Sequence, residues 1–523
     1  MIEAAAKLLR GADIEQITAR GLSPEKVLAQ IELIKKGTNH VTLYKPCTVR
    51  DGVKVIQKET LDRLCSVYDK AAAHGRAMKF VPASGVASRM FEPLYSLLQK
   101  LRNQDPDCVN KELLEDSDLG MLSGGIRKLP FFEELKAAMA TTGLDLESEI
   151  QNSRWDVVID SILNPRGLGY GNLPKGLVKF HLYPDGARSA FEEHLTEAAL
   201  YTKDSKGTAR IHFTVSPPHE QIIKEHTTPA CGRLKEEGTE PLITFSTQHP
   251  STDTITLDSD DIPLRDNSGR IQFRPGGHGA LLQNLNDTEG DIVFIKNIDN
   301  TAPDGLKGTE CRYKKALGGM LIEVQDKAFG FLEALTGKDI DEETLNEAAV
   351  FCSDELSSPL PREILSSPAK QRAQYLTTKL HRPLRVCGVV KHEGEPGGGP
   401  FWVRDSEGNP SLQIVESAEV DMSSPSQRRV WEQSTHFNPV DIVCGLKDFR
   451  GRLFDLNDYR DGTRHIISTK TTDGAQVKAL ELPGLWNGGM GNWNTLFVEV
   501  PLSTFNPVKT VFDLLRREHA AGK

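Results

Sequence analysis

Short apolar runs alternate with helical periodicities along most of this chain. The runs at 78–82 (MKFVP), 210–215 (RIHFTV), 242–246 (LITFS), 291–296 (DIVFIK), 384–390 (LRVCGVV) and 496–500 (LFVEV) predict strands. Each is rich in β-branched or aromatic residues, which suit an extended, buried backbone. Between them, Phe191, Leu195, Ala198 and Ala199 recur at the spacing of one buried helical face. Pro217 and Pro218 behind Ser216 predict a capped helix start, since proline in the first helical turn loses no hydrogen bond. Strands alternating with helices predict an α/β protein with a parallel sheet. Residues 1–75 read as a helical region with a Pro/Gly-punctuated middle, and the stretch 394–400 (GEPGGGP) as a loop. Residues 431–523, rich in Asn, Asp, Gly and Trp, read as a smaller carboxy-terminal lobe.

Composition narrows the classes. The 523 residues carry 63 Lys+Arg and 73 Asp+Glu, a net charge of −10, which argues against coating nucleic acid or an anionic membrane. The 8 cysteines stand far apart, with no pair at the spacing of a zinc ribbon or redox motif, so a reduced setting is expected. The first 17 residues lack an uninterrupted apolar core, and nowhere do about 18 apolar residues run together. These features predict a cytoplasmic protein without membrane spans. There is no internal repeat, and oligomeric state is not legible.

Four segments carry candidate chemistry. The first is the turn after the first strong strand, VPASGVASRM, where Ala83, Ser84, Gly85, Ala87 and Ser88 are small and Arg89 opens a helix. Small residues admit a ligand to the backbone, a helix amino terminus attracts anions, and arginine adds a planar charged fork. A plain tight turn with a surface arginine is the alternative. The second is Leu173-Pro174-Lys175-Gly176, in which a stiff backbone fixes a positive charge suited to phosphate, although an ordinary loop lysine reads the same way. The third is Pro275-Gly276-Gly277-His278-Gly279, whose glycines leave room for a planar base, while His278 either bonds a ligand or packs. The fourth is DIVFIKNIDN, which delivers Asn297, Asp299 and Asn300 at a strand's carboxyl end, where Mg2+ could be held. An Asx-rich turn is the alternative there. No GxxxxGK[ST] run occurs, and Gly167, Gly169 and Gly171 neither follow a strand nor open a helix.

Taken in order, these four segments resemble the UDP-sugar pyrophosphorylase family, nucleotidyltransferases with a GT-A-like fold. The chain also resembles an uncharacterised bacterial domain-of-unknown-function family. The first resemblance implies a GT-A-like nucleotide-diphospho-sugar transferase sheet flanked by helices, in a catalytic domain over 76–430. A helical insertion of about residues 100–160 then separates Arg89 from Lys175, preceded by the 1–75 helical region and followed by the 431–523 lobe. It implies nucleotide contacts at Ala83, Ser84, Gly85, Ser88, Gly276, Gly277, His278 and Gly279, catalytic charges at Arg89 and Lys175, and a metal aspartate at Asp299. Gln413-Ile414-Val415-Glu416 and His436-Phe437-Asn438 are similar to its sugar-side segments, implying sugar contacts from Glu416 and Asn438. The sequence departs from the family at Ser84 and Ala87, where glycines are usual.

The implied activity is formation of an NDP-sugar and pyrophosphate from a nucleoside triphosphate and a sugar 1-phosphate, with Mg2+ as cofactor. Two other readings stay open: a glycosyltransferase-type enzyme on the same fold, for which Asp258 and Asp260 have the spacing of a metal-binding pair, and a catalytically inactive nucleotide-binding protein.

Overall fold

The computed structural model describes residues 9–103, 117–337, 340–394, 397–405, 408–472 and 475–520. Packing divides the chain into two units, each assembled from non-consecutive segments. The first comprises Met1–Ala71, Ser246–Ile295 and Lys315–Val500; the second comprises Ala72–Phe245, Lys296–Lys314 and Pro501–Lys523. All six predicted strands are present, with ends within two residues of those expected. Among the described residues no helix is long and apolar enough to cross a membrane.

In the first unit the strand order is Thr48–Val49, Gly52–Val55, Asn494–Glu499, Leu384–Lys391, His436–Gly445 and Ile292–Lys296. Leu384–Lys391 runs parallel to Asn494–Glu499 and antiparallel to His436–Gly445, so the sheet is mixed where the pattern predicted a parallel one. The reason lies in the connection. Lys391 pairs with His436, so the intervening excursion returns to the end it left and the next strand must run back. That strand escaped the apolar pattern because His436, Asn438 and Asp441 interrupt it, yet all ten of its residues are buried.

Two smaller sheets complete this unit. Thr42–Pro46, Gly399–Arg404 and Pro410–Val415 form one; Phe273–Arg274, Thr254–Leu257, Ala475–Glu481 and Ile466–Thr472 form the other. The second is covered by the helices Gly11–Ala19 and Pro24–Lys36, whose Ile17, Val27 and Ile31 pack with Ile255, Leu257 and Leu480. Two expectations change here. The middle of the 1–75 region is strand rather than helix, and the glycine-rich stretch enters a strand at Gly399. In both, pairing with distant residues overrides weak local propensity.

The second unit places Ala77–Pro82 parallel to Thr208–Val215, with Glu240–Thr247 beyond it. Helix Ala190–Tyr201 buries Phe191, Leu195 and Ala198, the face its spacing predicted. The 100–160 region is helical where described, as Ser117–Gly125, Phe132–Thr141, Leu146–Gln151 and Trp155–Leu163. Its Leu122, Leu135, Ile159 and Ile162 lie in the unit's main core beside Phe91, Leu94 and Phe213. Residues 104–116 fall outside the described residues. The segment expected as a carboxy-terminal lobe gives the strands His436–Gly445 and Asn494–Glu499 to the first unit and Pro501–Lys523 to the second.

Helix Ala190–Tyr201 starts with a reciprocal cap: the Ser189 hydroxyl accepts from the Glu192 N–H, and the Glu192 carboxylate accepts from the Ser189 N–H at 2.7 Å. Burial raises the Glu192 carboxyl, but the His226 ring, Lys179 at 3.0 Å and the Ser189 N–H outweigh it and bring the group from 4.5 down to about 2. A carboxyl lowered on folding stabilises the protein above its unfolded value, and that stability is lost as pH falls through the folded one. We expect Glu192→Gln to lower the unfolding free energy at pH 7 by about 2 kcal/mol. In urea titrations the gap between variant and wild type should close as pH falls from 4.5 toward 2.

Candidate functional site

In the second unit, the strand Ala77–Pro82 runs into the first candidate turn. Ala83 is buried and its N–H donates to the Thr214 carbonyl at 2.9 Å; Ser84 is half-buried; Gly85, Ser88 and Arg89 are exposed. Ala87–Arg89 forms one 3-10 turn, and the helix Glu92–Asn103 follows. A Cβ added at Gly85 would meet nothing within 4 Å. No packing contact demands a glycine there, so the space above it is open to a ligand.

The Pro-Lys-Gly segment lies against this turn. The Lys175 N–H donates to the Gly85 carbonyl at 3.1 Å, and the Ala87 N–H to the Leu173 carbonyl at 3.0 Å. The Lys175 ammonium then reaches Asp299 Oδ2 at 2.9 Å. Three segments singled out separately in the sequence are thus joined in space. Arg89 shares the first turn with them, but it is exposed and has no ion pair among the described residues.

A fourth segment had no place in the sequence reading. Lys509 Nζ donates to the same Asp299 oxygen at 3.0 Å. The Val508 N–H bonds the Asp299 carbonyl at 2.9 Å, and the Val511 N–H bonds the Met90 carbonyl at 3.0 Å. The available signal was Pro507-Val508-Lys509, a lysine on proline-stiffened backbone like that of Pro174-Lys175.

The electrostatics favour an anion. Burial raises the Asp299 carboxyl, but Lys509 and Lys175 together hold it below the ordinary carboxylate range. Burial lowers the Lys175 ammonium, opposed by Asp299. Two ammonium groups share one carboxylate, which leaves net positive charge at the turn. The other carboxylate oxygen, Asp299 Oδ1, is buried without a hydrogen-bond partner. A lone oxygen of this kind fits one ligand position on Mg2+, an ion that needs few protein carboxylates when phosphates supply the rest. Among the described residues no group of three or more His, Cys, Asp or Glu could hold a metal.

Behind this turn lies a buried ion network. Glu197, fully buried, accepts from Lys79 at 2.6 Å and Lys296 at 2.9 Å, and Lys296 also donates to Glu310. Burial takes the Lys79 ammonium down to about 8 despite the Glu197 charge beside it. The His194 ring bonds the Ile298 carbonyl at 3.1 Å. The strand leading into the first turn and the segment bearing Asp299 are therefore tied to one helix.

In the first unit, the third candidate segment packs on residues 482–486. A Cβ at Gly279 would meet the Pro483 carbonyl oxygen at 2.3 Å, one at Gly276 the Thr252 carbonyl oxygen at 2.6 Å, and Gly277 has φ +75°. The protein's own backbone requires these glycines, so the open face expected for a base is not the reason for Gly276 or Gly279. The His278 ring stacks on Trp486 at 4.3 Å and its Nδ1 accepts from the Leu485 N–H at 3.1 Å. Its Nε2 lies 3.8 Å from Glu416 Oε1, and the Trp486 indole N–H bonds that same oxygen at 3.0 Å. Glu416 and His278, assigned separately, are neighbours; Trp486 was not foreseen.

Asn438 is buried, and its side-chain oxygen accepts from the Val440 N–H at 3.3 Å. Its own N–H bonds the Gly398 carbonyl, and a Cβ on Gly398 would lie 3.1 Å from the Glu416 side chain. Gly398 therefore separates Asn438 from Glu416. Two other sequence features are structural. Asp258 Oδ1 accepts from the Asp260 and Ile262 N–H groups, which makes the acidic pair a turn cap. Gly167 and Gly171 allow close approach of the Ser161 carbonyl and the Tyr95 hydroxyl.

These observations define an α/β protein with a cationic, small-residue turn and a separate His–Glu–Trp cluster. The chain matches, over residues 10–520, the family described as Domain of unknown function (DUF4301), and it belongs to that family. No curated protein matches it in sequence. Among solved structures it is similar to the UDP-glucose pyrophosphorylase of Leishmania major, at 12% identity over 98% of this chain and 79% of that one, with a TM-score of 0.45. It is also similar to the UDP-N-acetylglucosamine pyrophosphorylase of Trypanosoma brucei, at 14% identity over 98% and 83%, with a TM-score of 0.45.

The two glycine-bearing segments make opposite demands. Gly85→Ala should leave the melting free energy within about 0.5 kcal/mol of wild type. Gly279→Ala should destabilise by about 2 kcal/mol or more, because the added methyl meets backbone that cannot swing away. Thermal melts of the two variants check both.

Proposed function

We propose that the protein is a nucleotidyltransferase that forms an NDP-sugar and pyrophosphate from a nucleoside triphosphate and a sugar 1-phosphate. One observation carries the reading: the small-residue turn, the Pro-Lys segment and the Asp299 turn are joined through Lys175, which bonds Gly85 by its backbone and Asp299 by its side chain. Their order in the sequence is the one that resembles UDP-sugar pyrophosphorylases.

In the reaction an oxygen of the sugar 1-phosphate bonds the α-phosphorus of the triphosphate. The bond from that phosphorus to the bridging oxygen breaks, and pyrophosphate leaves with the electron pair. No protein nucleophile is required; positioning and stabilisation of phosphate charge suffice. Lys175 and Lys509 hold the phosphate oxygens, and Arg89, free at the rim of the turn, takes the departing end. Gly85 lets the phosphates approach the backbone. Asp299 fixes both lysines through one oxygen and offers the other to Mg2+, which would neutralise charge on the triphosphate.

Wild-type protein with Mg2+ and a panel of nucleoside triphosphates and sugar 1-phosphates should release pyrophosphate. Lys175→Ala, Lys509→Ala and Arg89→Ala should each lower turnover by about 10²–10³, the usual cost of losing a preorganised charge. Nucleotide binding with no pyrophosphate from any pair would sink the reading in favour of a non-catalytic binding protein.

A further inference from the structure

The first unit contains a cavity of about 590 Å3 whose lining includes Gln413 but none of the residues given a role in transfer above. That volume lies within the roughly 300–1,000 Å3 of small-molecule sites. Its lining is rich in cations although the chain as a whole carries a net charge of −10. Lys379, Arg382, Arg404, Arg460 and Arg464 line it, against Asp405 and Asp461.

Sorting these charges by partner shows which remain to be neutralised. Arg464 is buried and matched by Glu419 at 2.7 Å. Both lining carboxylates are engaged in local turns: Asp461 Oδ1 accepts from the Thr463 N–H at 3.0 Å and hydroxyl at 2.6 Å, and Asp405 Oδ1 from the Asn409 N–H at 2.8 Å. Arg382, Arg404 and Arg460 meet no carboxylate among the described residues. Arg382 is half-buried, and its guanidinium donates only to the carbonyls of Thr378 at 3.1 Å and Asn492 at 3.3 Å. Burial lowers its pKa, opposed only by the Tyr375 and Tyr459 phenols and by no carboxylate among the described residues. Arg404 lies over the Tyr44 ring at 4.1 Å, which holds its plane without neutralising it. Trp493 also lines the cavity, 4% exposed, and its buried indole N–H has no acceptor.

A half-buried guanidinium without a counter-ion and a buried donor without an acceptor are both costly, and an anion in the cavity would relieve the first. Guanidinium forks match the paired oxygens of phosphate, and three of them exceed what a single carboxylate would balance. We propose that this cavity binds a phosphorylated small molecule through Arg382, Arg404 and Arg460, with Trp493 as a further donor. The site lies outside the proposed transfer chemistry and does not depend on it.

The experiment is calorimetric titration of the full chain with inorganic phosphate, in a Lys175→Ala/Lys509→Ala background that removes the phosphate-binding lysines of the second unit. Saturable binding should persist there, and adding Arg382→Gln with Arg404→Gln should weaken it at least about tenfold, as expected for lost charge-assisted hydrogen bonds. Arg404→Gln alone, at an exposed position, gives the same direction should the half-buried Arg382 prove necessary for folding. Phosphate binding that vanishes with Lys175 and Lys509, or that is unchanged without the arginines, would overturn the proposal. Either result leaves the pyrophosphate assay to judge the transfer reaction separately.

Discussion

Glu197 sits at the centre of the second unit with no solvent contact, and both of its oxygens are taken by lysines that are themselves buried. Charges are tolerated in such surroundings only when paired with good geometry, so Lys79, Lys296 and Glu197 fix one another's positions. Lys79 belongs to the strand that ends in the small-residue turn, and Lys296 precedes Asn297-Ile298-Asp299. The network thus sets where two of the candidate segments leave their strands. Removing one partner would leave an uncompensated charge in the core, so the arrangement offers few intermediate states.

Asp299 repeats this logic nearer the surface. Its one bonded oxygen draws Lys175 and Lys509 together from segments more than 300 residues apart in sequence. The carboxylate tethers two cations that would otherwise repel, while their surplus charge remains available to an anion. The first unit uses its acids differently. Glu416 orders the indole of Trp486 and faces His278, while Glu419 neutralises Arg464. Around the 590 Å3 cavity, Arg382, Arg404 and Arg460 meet no carboxylate among the described residues.

Six strands and the buried face of helix Ala190–Tyr201 were legible because consecutive apolar residues, or apolar residues at helical spacing, have few other ways to leave water. The strand His436–Gly445 was not, because buried polar residues break its pattern and only its pairing partners explain their burial. The candidate turns were legible for a similar reason: Gly85, Lys175 and Asp299 each stand where proline, glycine or a strand end constrains the backbone. The meaning of the glycines was not legible. Gly85 faces open space and Gly279 faces a carbonyl, yet the letter is the same.

The sequence by itself determined the α/β class, the main strands and the positions at which charged residues meet stiff or small-residue backbone, since those depend on local sterics and hydrophobic spacing. Tertiary structure alone decided that one sheet is mixed, that the 100–160 helices belong to a core, that Lys509 joins Lys175 on Asp299, and that three arginines line one cavity with no carboxylate partner among the described residues. Each of these depends on which distant groups end up within a few ångströms, and Coulomb and hydrogen-bond energies are set by that distance rather than by separation along the chain.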